Sequence, residues 1–209
     1  RIMNSKQCNE IIELGKKKLK QDEYFCDIIK SQTTPKLNLY KDPFLSLIKY
    51  ICYQQLSIIA AKSIYGKFIN LFNGNTISPK KVIDINISKL QSCGLSISKC
   101  NYIKEIANFS LKNNLKKINK KSDKKIFQSL ISIKGVGPWT IDMYLIFTLG
   151  RPNVFPIKDL GIQKGVKLLY CLKEMPTMEF IKEKSKHWEP HCTTASLYLW
   201  KLVDGNIEW

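Results

Sequence analysis

A tight Gly-Val-Gly turn between two helical segments constrains the fold of this chain more than any other feature of its sequence. The turn lies in SIKGVGPWTIDMYLIFTLG, where Gly135 and Gly137 flank one valine. Glycine reaches backbone conformations closed to other residues and lets another backbone approach closely. Amides after such a turn stand at a helix N-terminus, where they attract anions. The residues alone leave two interpretations open, a plain helix–helix connection and a phosphate-binding turn.

Helix start signals recur along the chain. Asp42-Pro43 and Ser78-Pro79 each place an N-cap residue before a proline at the first helical position. The apolar spacing after the first pair predicts one long helix, or two with a bend near Tyr53-Gln54. Ser122 predicts a short helix before the glycine turn, and Asp159 a later one. No alternating run predicts a sheet, so we expect an all-α fold of about ten helices.

Charge is the strongest feature of the composition. The chain has 34 Lys and Arg residues against 17 Asp and Glu, a formal net charge of +17. This excess favours a polyanionic partner, and nucleic acid is the first candidate. The alternative is a general lysine-rich composition, because Lys, Asn and Ile are abundant throughout the chain.

Cysteine and apolar patterns exclude several other classes. The seven cysteines are odd in number and scattered, which argues against a disulfide framework. The chain has no C-x-x-C motif and only two histidines, so a structural zinc site is not expected. No apolar run reaches the roughly 18 residues of a spanning helix, so we expect a soluble protein with no membrane partner.

The glycine turn and four further stretches resemble the helix-hairpin-helix (HhH-GPD) DNA glycosylases, in the 3-methyladenine DNA glycosylase II branch. They cover roughly residues 44–202 in the family's order. In chain order, the stretches are YICYQQLSIIAAKSIYGKF, LQSCGLSISKCNYIKEIA, SLISIKGVGPWTIDMYLIFTLG, VFPIKDLGIQKG and HWEPHCTTASLYLW. The resemblance implies one glycosylase unit over 1–209, with two helical lobes and a central cleft. Residues 44–154 form the central lobe with the hairpin, and residues 1–43 with 155–209 form the second.

The reaction implied by this resemblance is removal of a damaged base. Breaking an N-glycosidic bond makes the sugar carbon C1′ cation-like, and a carboxylate can stabilise that charge and orient the attacking water. Asp159 fits this chemistry and the family's motif position, and a helix N-terminus with Lys158 and Lys164 nearby favours its ionised form. The alternative role for Asp159 is simple N-capping.

The residue two positions after the second glycine decides the subclass. Bifunctional relatives carry there a lysine that attacks C1′ and forms a Schiff base, whereas this chain carries Trp139. The resemblance therefore implies a monofunctional hydrolase without lyase activity that leaves an abasic site.

The implied substrates are the alkylated purines 3-methyladenine and 7-methylguanine, with hypoxanthine or ethenoadenine as further candidates. The N-alkylated ones are positively charged, and electron-rich aromatic rings attract such bases once they leave the stack. Aromatic residues at helical spacing are also ordinary core residues. Met143 and His191 stand where relatives often carry aromatic residues, which leaves the lesion range open. The implied base pocket consists of Trp139, Met143, Tyr144, Trp188 and His191.

The resemblance also implies DNA contacts around the hairpin. Gln55 or Leu56 lies near the wedge that fills the space left by the flipped base, although a buried helix turn is an equal alternative. The implied DNA-binding residues are Gln54, Gln55, Leu56, Lys134, Gly135, Gly137 and Thr140. No cofactor is required. In family members, hairpin carbonyls bind a structural Na⁺ or K⁺, and they correspond here to Ile131, Ile133 and Val136.

The expected partner is double-stranded DNA that contains damaged bases, bound by a monomer. The expected compartment is the nucleus or an organelle in a eukaryote, and otherwise the cytoplasm. Two alternatives remain. A non-catalytic helix-hairpin-helix module would bind only DNA backbone, but it would not need Asp159 in its motif. An oxidised-base glycosylase with lyase activity would need a lysine where Trp139 stands.

Overall fold

The structure, a computed structural model, describes residue 3 and residues 5–205, and its regular elements there are all helices. The thirteen α-helices of this part of the chain are α1 (Ser5–Leu19), α2 (Glu23–Ser31), α3 (Pro43–Tyr53), α4 (Ile58–Asn70), α5 (Pro79–Asp84), α6 (Ile87–Gln91), α7 (Ile97–Lys112), α8 (Leu115–Ile118), α9 (Asp123–Leu130), α10 (Pro138–Phe147), α11 (Leu160–Leu169), α12 (Met178–Ser185) and α13 (Cys192–Asp204). A 3-10 helix spans Lys186–Trp188. The predicted all-α fold is confirmed. None of the described helices is long and apolar enough to cross a membrane.

Side-chain caps explain where the predicted helices begin. Asp42 accepts hydrogen bonds from the Phe44 and Leu45 amides, and Pro43 occupies the first turn of α3. Ser78 caps α5 in the same way, one residue before Pro79. The predicted bend near Tyr53-Gln54 is confirmed, because α3 ends at Tyr53 and α4 begins at Ile58.

The predicted number of helices was too low, because several connections are short helices. The single start signal at Ser78-Pro79 is followed by two short helices, α5 and α6. Asn86 separates them, since its side chain accepts a hydrogen bond from the Ser88 amide and so caps a new helix.

The chain divides into two compact units. The hairpin unit runs from Tyr40 to Tyr144, and the terminal unit combines residues up to Leu39 with those from Leu145 onward. The predicted lobe ranges, 44–154 and 1–43 with 155–209, stay predictions. Residues 1, 2, 4 and 206–209 of those ranges lie outside the described residues.

Helix α3 forms the centre of the hairpin unit. Its residues Leu47, Ile48, Ile51 and Cys52 have no exposed surface, and the helix packs against α4 and α7. Burying an aliphatic side chain of this size stabilises a fold by about 1.5–3 kcal/mol. The residues of α3 that are apolar in sequence therefore anchor the helices that carry the site described below.

A buried lysine interrupts this core. Lys49 is only 8% exposed, and its ammonium lies 4.6 Å from the ring centre of Tyr40, 5.3 Å from Tyr53 and 5.7 Å from Tyr50. Burial, with a smaller contribution from the charge of Lys62, lowers the pKa of Lys49 to about 8. Cation–π attraction to the rings offsets only part of the cost of removing the charge from water.

We expect Lys49→Met to raise the free energy of unfolding at pH 7 by about 1 kcal/mol, because the buried charge disappears while most of the apolar stem remains. The folded-state pKa lies below that of an unfolded lysine, so wild-type stability rises as the pH increases above 8. The advantage of the variant should therefore shrink between pH 7 and pH 9.5. Urea unfolding at both pH values measures this difference. The exposed Lys80 provides the control Lys80→Met, and equal behaviour of the two variants would contradict the prediction.

Candidate active site and nucleic-acid interface

The predicted hairpin is present between α9 and α10. Gly135 has a φ of +91°, and the Val136 amide donates to the Ile133 carbonyl at 3.0 Å. A Cβ atom at Gly135 would lie 2.0 Å from Cγ of Tyr102, whereas one at Gly137 would meet nothing within 4 Å. Gly135 is thus required by the turn itself, and Gly137 keeps the outer side of the turn open.

Gln54 ties the loop between α3 and α4 to this turn. Its side-chain Nε2 donates to the Gly135 carbonyl at 2.9 Å and to Thr140 Oγ1 at 2.9 Å. Thr140 is 1% exposed, so its side chain supports the loop from within the unit. A direct DNA contact of either residue stays a prediction.

The two residues after Gln54 project from the loop. Gln55 is exposed and has a φ of +56°, a conformation that costs a non-glycine residue about 1–3 kcal/mol. Leu56 is 42% exposed, although it is apolar, and Lys134 at the hairpin is exposed as well. These are the properties expected of residues that meet a partner, and their predicted DNA contacts stay predictions.

In the terminal unit, Asp159 is the N-cap residue of α11, as predicted from its place in the sequence. Its Oδ1 accepts hydrogen bonds from the Ile162 amide at 2.9 Å and from Trp200 Nε1 at 2.8 Å. The side chain is only 6% exposed. Two donors on one oxygen fix the orientation of the carboxylate.

Gly161 makes this arrangement possible. A Cβ atom there would lie 2.9 Å from Cδ1 of Trp200 and 3.0 Å from Asp159 Oδ1. The glycine of the KDLG stretch therefore leaves the space in which the indole reaches the carboxylate.

A second carboxylate lies within electrostatic range of Asp159. Burial raises the pKa of Asp204, the charge of Asp159 raises it further, and Lys164 opposes both effects. Asp204 is one helical turn after Trp200 on α13, so one helix presents both residues toward α11, against which it packs.

The predicted base-pocket residues differ in their exposure. Met143, Tyr144 and Trp188 have no exposed surface. The Tyr144 hydroxyl donates to Asn119 Oδ1 at 2.8 Å within the hairpin unit. In the terminal unit, Trp188 Nε1 donates to Asp22 Oδ2 at 3.1 Å. Burial gives these three side chains a role in packing, and their contact with a base stays a prediction.

The other two pocket residues are more accessible. Trp139 and His191 are both half-buried. Nδ1 of His191 is buried without a hydrogen-bond partner among the described residues. Burial, with a smaller contribution from the charge of Lys18, lowers the pKa of His191.

The hairpin offers carbonyl oxygens rather than side chains to a cation. Among the described residues, no cluster of His, Cys, Asp and Glu could hold a metal ion. The Ile133 carbonyl accepts one hydrogen bond, from Val136, and a carbonyl oxygen has two lone pairs. Oxygen ligands suit hard cations, and a Na⁺ or K⁺ ion at this turn stays a prediction.

Comparisons with known proteins decide the family. Residues 48–190 match the HhH-GPD superfamily of base excision DNA repair proteins. The chain is 33% identical, over 165 residues, to DNA-3-methyladenine glycosylase 1 of Schizosaccharomyces pombe, an alignment that covers 77% of this chain and 72% of that protein.

The chain belongs to the HhH-GPD superfamily.

Solved structures agree with this membership. A 3-methyladenine DNA glycosylase of Schizosaccharomyces pombe in complex with abasic DNA matches with a TM-score of 0.85 and 30% identity, over 90% of this chain and 95% of that one. A DNA-3-methyladenine glycosidase of Bacillus halodurans matches with a TM-score of 0.76 and 32% identity, over 91% of this chain and 88% of that one. The family resemblance of the five sequence stretches is confirmed.

Sequence patterns did not indicate three side chains that support the site in this HhH-GPD protein. Trp200 holds Asp159, Tyr102 packs against Gly135, and Lys99 binds the loop that carries Gln54. All three lie within the stretches that resemble the family, but the spacing of residues along the chain does not reveal which distant partner each one contacts.

We expect Trp200→Phe to slow the superfamily's base excision about 10-fold, because phenylalanine keeps a ring against Phe147 but donates no hydrogen bond to Asp159. Single-turnover kinetics measure this loss. Ser196→Ala is the control on the same helix, since it removes a buried hydroxyl that donates to the Val154 and Cys192 carbonyls. Equal rates for Trp200→Phe and the wild type would show that the indole does not orient the carboxylate.

Proposed function

We propose that this protein is a monofunctional DNA glycosylase that removes alkylated purines from double-stranded DNA. The observation that carries the proposal is the buried Asp159, oriented by Trp200 and the Ile162 amide, in a chain of the HhH-GPD superfamily. The names of the relatives and of the matching structures support 3-methyladenine as a substrate.

Asp159 acts on the sugar. The damaged base leaves with the electron pair of the N-glycosidic bond, and the carboxylate stabilises the positive charge that develops at C1′. A water molecule, oriented or deprotonated by the same carboxylate, attacks C1′, and an abasic site remains. The fixed orientation of Asp159 Oδ1 means that little reorganisation accompanies this step.

Recognition of the base relies on an aromatic side chain that is partly accessible in the structure. Trp139 presents a half-exposed aromatic ring, which attracts a cationic alkylpurine more strongly than a neutral base. Because Trp139 occupies the position of the Schiff-base lysine of bifunctional relatives, no covalent intermediate forms.

The hairpin binds the DNA backbone. Its outward amides near Gly137 receive a phosphate, and the open space at that glycine allows the approach. The carbonyls of Ile131, Ile133 and Val136 would hold a Na⁺ or K⁺ ion, and such an ion would supply positive charge at the hairpin. The enzyme acts wherever its DNA lies, in a nucleus or organelle of a eukaryote or in a bacterial cytoplasm.

A set of four duplexes, each with one 3-methyladenine, 7-methylguanine, hypoxanthine or ethenoadenine, tests the proposal. We expect strand breaks only after alkali, and no covalent DNA adduct after borohydride treatment. Binding without release of any base would favour a non-catalytic module. Efficient borohydride trapping would overturn the monofunctional mechanism.

A further inference from the structure

Lys99 holds together the end of α3 and the loop that follows it. Its Nζ donates to the Gln54 carbonyl at 2.7 Å and to the Cys52 carbonyl at 3.1 Å. These carbonyls lie at the C-terminal end of α3, where acceptors lack partners within the helix. The lysine therefore ends this helix and binds the first residue of the projecting loop.

The same loop residue is bound from a second direction. The Gln54 side chain donates to the Gly135 carbonyl and to Thr140, while its own carbonyl accepts from Lys99. Gln54 is thus fixed between α7 and the hairpin. The next residue, Gln55, has a φ of +56°, and the following Leu56 is exposed. The strained backbone of Gln55 directly follows Gln54, which is bound on both sides. Such strain persists only where the surrounding structure determines the conformation of the residue.

The position of Lys99 is electrostatically unfavourable unless the carbonyls compensate for it. It lies in the first turn of α7, after the N-cap Ser96, and a cation there opposes the helix dipole. Burial lowers the pKa of Lys99, which is a further cost of holding the charge at this place. The negative end of α3 provides the compensation, so this end of α3 and the ammonium stabilise one another.

We propose that Lys99 is a positioning residue that fixes the loop of Gln54, Gln55 and Leu56, so that Leu56 enters the duplex and separates the damaged base from its stack. The inference rests on the proposed glycosylase function. In this scheme Lys99 contacts neither the base nor the sugar. It determines whether the loop holds Leu56 in place before DNA binds or becomes ordered only on binding, which costs free energy.

Helix α7 contains a matched control for Lys99. Lys104 Nζ donates to the Ile83 and Ile85 carbonyls, each at 2.7 Å. It therefore binds the end of α5 with the same number of carbonyl bonds from the same helix. Lys104 contacts no part of the Gln54 loop through these bonds, so Lys104→Met reports the general cost of losing such a lysine.

The experiment compares two duplexes that differ only opposite the lesion. In one, 7-methylguanine faces cytosine; in the other, it faces a tetrahydrofuran abasic analogue, so no base pair has to open. We expect Lys99→Met to excise the paired lesion about tenfold more slowly than wild type, and the unpaired lesion at nearly the wild-type rate. Lys104→Met should change both rates equally or not at all. Thermal unfolding of both variants measures their loss of stability.

A second variant, Lys99→Arg, keeps the proposal testable if Lys99→Met folds poorly. Lys99→Arg keeps the charge but not the geometry of the ammonium, and we expect it to show an intermediate ratio of paired to unpaired rates. Equal losses on both duplexes for Lys99→Met, or the same ratio in Lys104→Met, would overturn the positioning role and leave the glycosylase function standing. If the wild-type protein releases no base from either duplex or from the four lesion duplexes above, the proposed function fails, and this inference fails with it.

Discussion

Asp159→Asn is expected to slow base excision about 100- to 1,000-fold and to leave the fold and DNA binding intact. The amide oxygen of asparagine can still accept hydrogen bonds from the Ile162 amide and from Trp200 Nε1, and asparagine caps helices as well as aspartate does. Only the negative charge that the proposed mechanism uses at C1′ is lost. Single-turnover excision measures the rate, and fluorescence anisotropy with a labelled duplex measures the affinity.

Asp159→Ala separates the two roles of this carboxylate. Alanine removes the cap and leaves the buried Trp200 Nε1 without its acceptor, so we expect an additional loss of about 2 kcal/mol in the free energy of unfolding. Urea unfolding should therefore distinguish the alanine variant from the asparagine variant, although both should excise the base slowly. Near-wild-type excision by Asp159→Asn would remove the residue from the catalytic role and leave it only the cap.

Local sequence signals were sufficient to predict the helix starts and the turn around the site. Capping residues act through bonds to amides two or three positions away, so the starts of α3 and α11 at Asp42 and Asp159 could be predicted from their neighbours. The glycine turn is local in the same sense. The need for glycine at position 135 is not local, because Tyr102 on α7 lies where a Cβ atom would be.

The supports of the site depend on contacts between distant residues. Trp200 lies 41 positions after Asp159, and Lys99 lies 45 positions after Gln54. Each contact exists because two helices pack together, α11 with α13 and α3 with α7. The spacing of residues predicts that these helices are amphipathic or buried, but it does not predict which polar atoms meet between them.

Helix α10 shows why exposure within the predicted base pocket was hard to predict. The sequence PWTIDMYLIF has apolar residues on every side of the helix, so its periodicity does not indicate a single buried face. In the structure, Met143 and Tyr144 are fully buried, whereas Trp139 at the beginning of the helix is half-exposed. Proximity to the turn, rather than periodicity, decides which aromatic residue is accessible.

Gly135→Ala is expected to destabilise the protein by about 3 kcal/mol or more. The added methyl group would overlap the Tyr102 ring, and the residue would keep a φ of +91°, which is strained for alanine. Urea unfolding measures the loss. In the double variant Gly135→Ala/Tyr102→Ala the overlap disappears while the strain remains, so a double-mutant cycle should recover part of the stability. A loss below about 1 kcal/mol in the single variant would contradict this account of the turn.

Gly137→Ala is the matched change two residues later, and it should weaken DNA binding rather than stability. No atom lies within 4 Å of the position that its Cβ would occupy, and the φ of Gly137 is not positive, so the free energy of unfolding should change by less than about 1 kcal/mol. The methyl group would instead occupy the space through which a phosphate reaches the hairpin amides. We therefore expect duplex affinity to fall about tenfold at constant salt, measured by anisotropy. The opposite pattern, a stability loss without weaker binding, would mean that the turn connects two helices and holds no phosphate.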